Sequence, residues 1–365
     1  MRRREAGRRE GSAGAGDGRV RWGVIGSGGI ARRRTIPEGI VPASNAILAV
    51  VYDVDDAANR EIARWCGAAA AGSLEELFAA RPEAVYVATP AHLHREHVLA
   101  CARARVPVLC EKPLGLSVAE AEEMIAECRR AGVPLGTAFM MRFQSQHQEA
   151  LRLIREGRLG TPVYARAQLS CWYPPIAGAW RQDPARGGGG ALIDLGGHCI
   201  DLLEMFFGPV RRVTCMARRI VHGYPVEDGA VALLEFAGGA LGTVDTFFCI
   251  RDEGSRNVLE LYGTLGSILA SGTIGQGSAG EMTAILAPPA GGYDAGQARP
   301  VAGTTVRIAP APVNVYRAEI EAFGRTVREG RREDPGAALG LRSQKVLAAC
   351  YESARSGRAV EIAPD

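Results

Sequence analysis

A glycine-rich segment near the N-terminus, residues 26–31 (GSGGIA), constrains the fold of this chain more than any other feature. It directly follows an apolar run, residues 20–25, and stands where a helix would open. A turn of this kind brings backbone N–H groups against a phosphate at a helix N-terminus. Because the chain contains 46 glycines, the pattern alone is weak evidence, but its position between a strand and a helix predicts a dinucleotide-binding turn. The residues expected to contact the dinucleotide are Gly26, Gly28, Gly29, Ile30 and Ala31.

Short apolar runs alternate with helical patterns over the first third of the chain. Capping-box spacings, Ser73-x-x-Glu76 and Ser117-x-x-Glu120, mark the starts of two helices. Short apolar strands that alternate with helices of about 10–15 residues predict a parallel sheet covered on both faces. The predicted strands cover 20–25, 46–52, 84–87, 106–110 and 134–139, and the predicted helices cover 55–65, 73–80, 94–104 and 117–131.

The second predicted strand ends at Asp53. A carboxylate at this position accepts hydrogen bonds from the ribose hydroxyls of a dinucleotide and repels a 2′-phosphate. Asp53 therefore favours NAD over NADP as the cofactor. Arg60 and Arg64 follow closely in the sequence, so NADP stays open as the less favoured choice.

Two further segments lie where predicted parallel strands end, the edge at which such sheets bind ligands. The first contains Thr89, Pro90 and His94, and the second is Glu111-Lys112-Pro113. We expect four of these residues to bind the cofactor: Thr89, Pro90, His94 and Glu111. The histidine spacing around His94 suits no ordinary metal set, and we predict no metal site.

Lysine is nearly absent from this chain, because 41 of the 43 basic residues are arginines. Because almost every basic residue of this chain is arginine, we expect lysine to stand where a compact amine with a tunable pKa is needed. Lys112 follows a predicted strand, where its amine could hydrogen-bond a substrate hydroxyl and stabilise a developing alkoxide. The alternative is an ordinary surface ammonium. For Lys345, inside a late helical pattern, chance is a sufficient explanation.

The second half contains another chemical cluster, in the segment that runs from Gly190 to Gly208. Asp194, His198 and Asp201 would share one face of a helix. A carboxylate one turn from an imidazole can orient it and raise its basicity, which suits a general base. The alternative is a carboxylate at a helix start and a histidine of no chemical consequence.

The rest of the second half predicts a different architecture from the first. Helix 145–157 and strand 163–171 lead to a loop, 172–190, and after the Asp194 helix an antiparallel sheet is the natural interpretation. Segment 271–303 is rich in Gly, Ala and Pro, and we expect an irregular excursion there. The later predicted strands cover 211–219, 230–236, 239–249, 256–262, 267–270, 304–308 and 359–362, and the later helices cover 315–329 and 337–355.

Taken in order, these motifs resemble the glucose–fructose oxidoreductase / inositol dehydrogenase / rhizopine-catabolism (Gfo/Idh/MocA) family over residues 20–362. The combination of Glu111-Lys112-Pro113 with the Asp194-x-x-x-His198 helix carries the resemblance. It implies an α/β fold, with an N-terminal Rossmann parallel sheet followed by an α+β domain with an open, mostly antiparallel sheet. We expect a disordered arm at 1–18, an NAD(P)-binding domain at 19–140, and a substrate and oligomerisation domain at 141–365.

The resemblance also implies roles for individual residues. Lys112 would contact the substrate hydroxyl and the nicotinamide ribose, His198 would be the acid/base, and Asp194 would be its partner and a substrate ligand. Many members have Asn where this chain has Ala91, which puts one cofactor-loop hydrogen bond in doubt. Further substrate contacts are expected from Arg142, Tyr173, Trp180 and Arg181.

Composition narrows the functional classes. Five arginines against three carboxylates in residues 1–18 account for most of the net charge of +3, so the body gives no electrostatic case for a nucleic-acid or membrane partner. No apolar run approaches the roughly 18 residues of a membrane-spanning helix. Nine scattered cysteines fit a reducing, cytoplasmic location better than a disulfide framework.

These features together predict an enzyme that moves a hydride between NAD(P) and a secondary alcohol of a sugar, glycoside or inositol-like polyol. The family resemblance implies a homodimer or homotetramer. Two other functions stay open. One is a glycoside hydrolase or lyase that retains NAD and oxidises a hydroxyl only transiently. The other is a cofactor-sensing regulator without catalysis, which would have no use for an acid/base set such as Lys112, Asp194 and His198.

Overall fold

The computed structural model describes residues 18–277, 279–287, 296 and 303–363. The predicted N-terminal arm therefore lies outside the described residues except for Gly18, and so does much of the predicted excursion between 271 and 303.

The first sheet has six parallel strands, and the alternating sequence pattern predicted such a parallel sheet. Its spatial order is β3-β2-β1-β4-β5-β6. Five strands were expected, and the sixth, β3, escaped prediction because its three alanines carry no apolar signal of their own. The strands are Val20–Ile25 (β1), Ala46–Tyr52 (β2), Ala69–Ala71 (β3), Ala84–Val87 (β4), Val108–Glu111 (β5) and Leu135–Ala138 (β6).

Helices cover this sheet, and their starts follow the predicted caps. The hydroxyls of Ser73 and Ser117 accept hydrogen bonds from the N–H groups of Glu76 and Glu120. The helix after the glycine-rich turn, Ala31–Ile40, has wide π-type turns and contains Pro37, which has no N–H to donate. The α-helices of this part are Asp56–Cys66 (α1), Leu74–Ala79 (α2), His94–Arg103 (α3) and Val118–Ala131 (α4).

The second sheet has nine strands in the order β14-β13-β12-β11-β7-β10-β9-β8-β15. All neighbours are antiparallel except β7 and β10, which confirms the mostly antiparallel prediction. The strands are Pro162–Ser170 (β7), Val210–Arg218 (β8), Gly229–Phe236 (β9), Leu241–Phe247 (β10), Val258–Gly263 (β11), Gly266–Ser271 (β12), Glu281–Leu286 (β13), Thr304–Arg307 (β14) and Val360–Glu361 (β15).

Strand β13 corrects the prediction that 271–303 is irregular throughout. Met282 and Ala284 are buried in the core while Thr283 and Ile285 face outward, so the strand does alternate. It is short, and the glycine-rich sequence around it concealed this alternation. Pairing with β12 along its whole length holds it in the sheet.

Among the remaining helices, Pro335–Ser356 (α9) packs against both sheets, on β6 and on β8. Ile320 and Phe323 of α8 pack into the core of the first sheet beside Trp22, and α9 approaches β6 closely through Gly336 and Gly340. A division of the chain at residue 140 stays a prediction. The helices are Ser145–Arg155 (α5), Pro184–Gly187 (α6), Gly197–Phe207 (α7), Val315–Arg328 (α8) and Pro335–Ser356 (α9). Within the described residues, no helix has the length and apolar character to span a membrane.

Candidate active site

A cleft of about 500 Å³ opens between the carboxyl edge of the first sheet and the second sheet. This volume is in the range typical of small-molecule sites. Most of the sequence-predicted site residues meet here. Those that line the cleft are Gly29, Ile30, Thr89, His94, Glu111, Lys112, Tyr173, Trp180, Arg181, Asp194 and His198.

The glycine-rich turn has the geometry that a dinucleotide requires. Gly26 has φ +87°, and a Cβ there would lie 2.8 Å from the backbone nitrogen of Thr89, so only glycine fits. The N–H of Gly28 donates to Asp53 Oδ2 at 3.0 Å, which ties the turn to the end of β2. The predicted ribose ligand therefore lies directly beside the predicted pyrophosphate loop.

His94 lies between the two segments that contain Thr89 and Pro113, at the carboxyl edge of the first sheet. Its Nδ1 lies 2.8 Å from the carbonyl oxygen of Pro113 and its Nε2 lies 2.9 Å from that of Thr89. Burial lowers the pKa of this imidazole to about 4. Because the neutral ring has a single N–H, it can donate to only one of these two carbonyl oxygens at a time. His94 thus lies between the segments that follow β4 and β5. No cluster of His, Cys, Asp or Glu in the described part of the chain could hold a metal ion.

Glu111 is anchored on the protein side of the cleft. Its Oε1 accepts a short hydrogen bond from the hydroxyl of Tyr86, which in turn accepts one from Thr35. Its Oε2 accepts the backbone N–H of Lys112 at 3.1 Å. Burial raises the pKa of Glu111. The chain of hydrogen bonds fixes the backbone from which the Lys112 side chain extends, and the Lys112–Pro113 peptide is cis.

Lys112 and Asp194 meet across the cleft. The Lys112 ammonium donates to Asp194 Oδ1 at 2.8 Å and to the Asp194 carbonyl oxygen at 2.7 Å. Arg181 Nε donates to the same Oδ1 at 3.1 Å, and the Arg181 guanidinium lies 4.2 Å from the centre of the Trp180 ring. Burial alone would raise the pKa of Asp194, but these two cations hold it well below its ordinary range.

Within the described residues, no hydrogen bond joins Asp194 to His198, so the pairing expected from the sequence stays a prediction. The segment Leu192–Gly196 forms wide π-type turns before α7 begins at Gly197, so the four-residue spacing does not describe one regular α-helical face. The Asp194 carboxylate bonds the two cations instead. His198 Nδ1 is buried and has no hydrogen-bond partner in the described part of the chain. Burial, and then the charge of Lys112, hold the pKa of His198 well below its ordinary value, while the nearby Asp194 carboxylate partly opposes this shift.

Arg142 and Asp201 also depart from prediction. Arg142 Nε donates to both carboxylate oxygens of Asp201, at 2.7 and 2.8 Å. Burial raises the pKa of Asp201 to about 7. Arg142 lines a separate cavity rather than the cleft. The expected contact between Arg142 and substrate is therefore replaced by a structural ion pair.

Sequence reasoning missed the cleft wall that the second sheet supplies. Ser170, at the end of β7, is 3% exposed, and its hydroxyl has no hydrogen-bond partner among the residues that the structure describes. Its N–H donates to the side chain of Asn257 at 2.9 Å. No local pattern could have shown this wall, because its residues are up to 106 positions apart. Its polar members are Ser170, Asp252, Asn257 and Gln276.

Comparison with known proteins agrees with this architecture. A family model described as "Oxidoreductase family, NAD-binding Rossmann fold" matches residues 20–139, and one described as "GFO/IDH/MocA C-terminal domain" matches residues 147–269. A D-xylose 1-dehydrogenase (NADP(+)) of Haloferax volcanii is 30% identical, and the match covers 93% of this chain and 99% of the relative.

Two further relatives match over nearly their whole lengths. A 1,5-anhydro-D-fructose reductase of Ensifer adhaerens is 28% identical, with 94% of this chain and 98% of that protein covered. The crystal structure of an aldose-aldose oxidoreductase from Caulobacter crescentus, complexed with glycerol, superposes with a TM-score of 0.83 at 25% identity. That superposition covers 94% of this chain and 100% of the other.

Proposed function

This chain belongs to the Gfo/Idh/MocA family of NAD-binding oxidoreductases, and we propose that it transfers a hydride between nicotinamide and a secondary alcohol of a sugar, glycoside or inositol-like polyol. The observation that carries the proposal is the Lys112 ammonium. Two of its three N–H groups are bound to Asp194, which leaves one for a ligand oxygen in the cleft. His198 lies in the same cleft with an unpartnered ring nitrogen.

The residues present suit a dinucleotide. Gly28, Gly29 and Ile30 would hold the pyrophosphate, and Asp53 would hold the adenosine ribose. When bound, the nicotinamide supplies the hydride acceptor or donor. We assign NAD as the preferred cofactor because the Asp53 carboxylate stands beside Gly28 and would repel a 2′-phosphate.

In the proposed reaction, Lys112 binds the oxygen of the reacting alcohol and stabilises negative charge that develops on it. His198, neutral because burial lowers its pKa, accepts the hydroxyl proton as the base in alcohol oxidation. It returns the proton in the reverse direction. Asp194 balances the charge of Lys112 and fixes its position through two hydrogen bonds.

The substrate class is inferred from the cleft wall that the second sheet supplies. Ser170, Asp252, Asn257 and Gln276 offer donors and acceptors at a distance from the reacting group, while Tyr173 and Trp180 offer flat apolar faces. A ring or chain with several hydroxyl groups can satisfy both sets at once. The names of the relatives, which include a xylose dehydrogenase and an anhydrofructose reductase, support the same class.

We propose a homodimer or homotetramer that forms through the outer face of the second sheet. That face carries exposed apolar side chains, among them Met216, Val231, Leu233 and Leu241, and such patches are typical of protein interfaces. We place the protein in the cytoplasm because all nine cysteines are unpaired. No nucleic-acid or membrane partner is part of the proposal.

The experiment is NADH absorbance with purified protein, NAD and a panel of sugars, glycosides and inositols. We expect NADH from at least one polyol, and loss of turnover in Lys112→Met. Lys345→Met, at the only other lysine, is the matched control. Cleavage of a glycoside without net NADH would instead establish the hydrolase or lyase alternative. NAD binding without turnover of any panel member would leave the regulator as the function.

A further inference from the structure

A second cavity, of about 330 Å³, lies beside the first sheet and shares no lining residue with the cleft. It is enclosed by α8, the segment that joins α8 to α9, the start of α9, and the short helical turn Met140–Phe143. That turn separates the two spaces. Met140 and Met141 line the cleft, whereas Arg142 and Phe143 line the second cavity.

Glu319 lines the second cavity and is the most unusual group in it. Its side chain extends from α8 and the residue is only 4% exposed. Its Oε1 is buried and has no hydrogen-bond partner among the described residues. A buried carboxyl oxygen without a partner costs free energy, so this position calls for a donor that the described protein does not supply.

The neighbouring charged groups are already engaged. Arg142 is bound to Asp201 through Nε and also donates to the Asp201 carbonyl oxygen. Asp334 accepts hydrogen bonds from the Thr326 hydroxyl and the Gly336 N–H. At the rim, Arg331 pairs with Glu329. Arg325, which is exposed, also lines the cavity, so the lining contains three arginines and three carboxylates. Within the described residues, none of these cations donates a hydrogen bond to the buried Glu319 Oε1, so this carboxyl is the group that is left without a counter-charge.

The pKa of Glu319 depends on burial and on charged groups from several sides of the cavity. Burial raises the pKa of Glu319 well above its ordinary value, and the carboxyls of Glu111, Asp201 and Asp334 raise it further. Arg142 is the cation beside Asp201. A positive ligand beside Glu319 would favour its ionised carboxylate, whereas an anion beside it would disfavour that form.

Besides these polar groups, the wall has seven apolar residues, three of which are phenylalanines. It fits the body of a small organic molecule better than a hydrated metal ion, because a metal needs several oxygen or nitrogen ligands. Aromatic faces also attract organic cations. The apolar lining residues are Leu109, Phe139, Phe143, Ala322, Phe323, Pro335 and Leu339.

We propose that this cavity is a second ligand site that binds a small organic ammonium, with its charged head on Glu319 and its apolar body against Phe139, Phe143 and Phe323. The site is separate from the proposed hydride transfer and does not depend on it.

The test is a titration of the full chain with 4-fluorobenzylamine, followed by fluorine NMR, with NADH in excess to occupy the cleft. Its isostere 4-fluorobenzyl alcohol is the matched ligand without charge. We expect saturable binding of the amine and at least tenfold weaker binding of the alcohol. Glu319→Gln should weaken amine binding at least tenfold. Glu352→Gln, which removes an exposed carboxylate of α9, should leave it unchanged.

Two further measurements make the assignment specific. Ala322→Leu narrows the cavity without touching the carboxyl and should also weaken amine binding. Because Glu319 must ionise to pair with an ammonium, calorimetry in buffers of different ionisation enthalpy should show proton release near pH 7, absent in Glu319→Gln. The proposal is overturned if the amine does not bind saturably, if the alcohol binds equally well, or if neither cavity variant weakens the amine.

Discussion

Lys112 and Asp194 form an ion pair between the two halves of the molecule, with the ammonium 2.8 Å from the carboxylate Oδ1 and 2.7 Å from the carbonyl oxygen of the same residue. The side chains are 11% and 18% exposed. The pair is therefore largely shielded from solvent, and its geometry assigns Asp194 to the lysine rather than to His198.

Asp194→Asn keeps an acceptor for Lys112 but removes the charge that balances Lys112 and Arg181. We expect kcat to fall by about 10²-fold, as is typical when a group that stabilises transition-state charge is disturbed. The double variant Lys112→Met/Asp194→Asn should be no slower than Lys112→Met alone, because Asp194 acts through the lysine. Steady-state kinetics on all three variants measure this coupling. A further large loss in the double variant would show that Asp194 has an independent partner. Asp56→Asn, at an exposed carboxylate, is the control.

The pH dependence of alcohol oxidation should reflect His198. The base must be neutral, and burial places its pKa well below 6.5, so kcat/KM should stay level as the pH falls from 7 to 6. His198→Gln should lower kcat by about 10²- to 10⁴-fold, the usual contribution of a positioned base. His92→Gln, at a histidine outside the cleft lining, should have little effect. A wild-type acidic limb near pH 6.5 would contradict the buried, neutral imidazole.

Gly26→Ala and Gly28→Ala should separate folding from cofactor binding. A Cβ at Gly26 meets backbone atoms at 2.8–2.9 Å with φ +87°, so we expect a loss of about 2 kcal/mol or more in the free energy of unfolding.

A Cβ at Gly28 meets only Asp53 Oδ2, at 3.5 Å, so that variant should fold normally. It should nevertheless bind NADH at least tenfold more weakly, because the new methyl occupies the approach to the pyrophosphate. Denaturant unfolding and NADH fluorescence titration measure the two effects. Equal NADH affinity in Gly28→Ala would place the pyrophosphate elsewhere.

Cofactor preference should depend on Asp53. Asp53→Ser removes the carboxylate beside Gly28, and with it the repulsion of a 2′-phosphate. We expect the ratio of kcat/KM for NAD to that for NADP to fall at least tenfold. Glu75→Gln, at an exposed carboxylate of α2, serves as the control for loss of a negative charge. If the ratio does not change in Asp53→Ser, another residue selects the cofactor.

The sequence predicted those parts of the fold that depend on local chemistry. Apolar runs and capping serines marked five of the six parallel strands and the starts of two helices, because each signal lies within a few neighbouring residues. Strand β13 escaped because its stability comes from pairing with β12 rather than from its own composition.

The sequence identified several residues that line the cleft, but it did not identify the hydrogen bonds that these residues make. Lys112, Asp194 and His198 do share one cleft. The expected hydrogen bond between Asp194 and His198 is not formed in the described structure. A π-type segment changes the local spacing, and two cations, one of them 82 residues away in the chain, bind the carboxylate instead. Ser170 and Asn257 are 87 residues apart and meet only through the packing of the second sheet.

The central claim, direct hydride transfer from a secondary alcohol, is tested most directly with a sugar that the panel identifies as a substrate, deuterated at the reacting carbon. After one turnover in ordinary water, we predict NADH that carries one deuterium at nicotinamide C4, detected by NMR or mass spectrometry, together with a primary isotope effect on single-turnover oxidation. Lys112→Met should give no labelled NADH in the same time. Deuterium that is lost to water, or a cleaved product without reduced cofactor, would contradict the account.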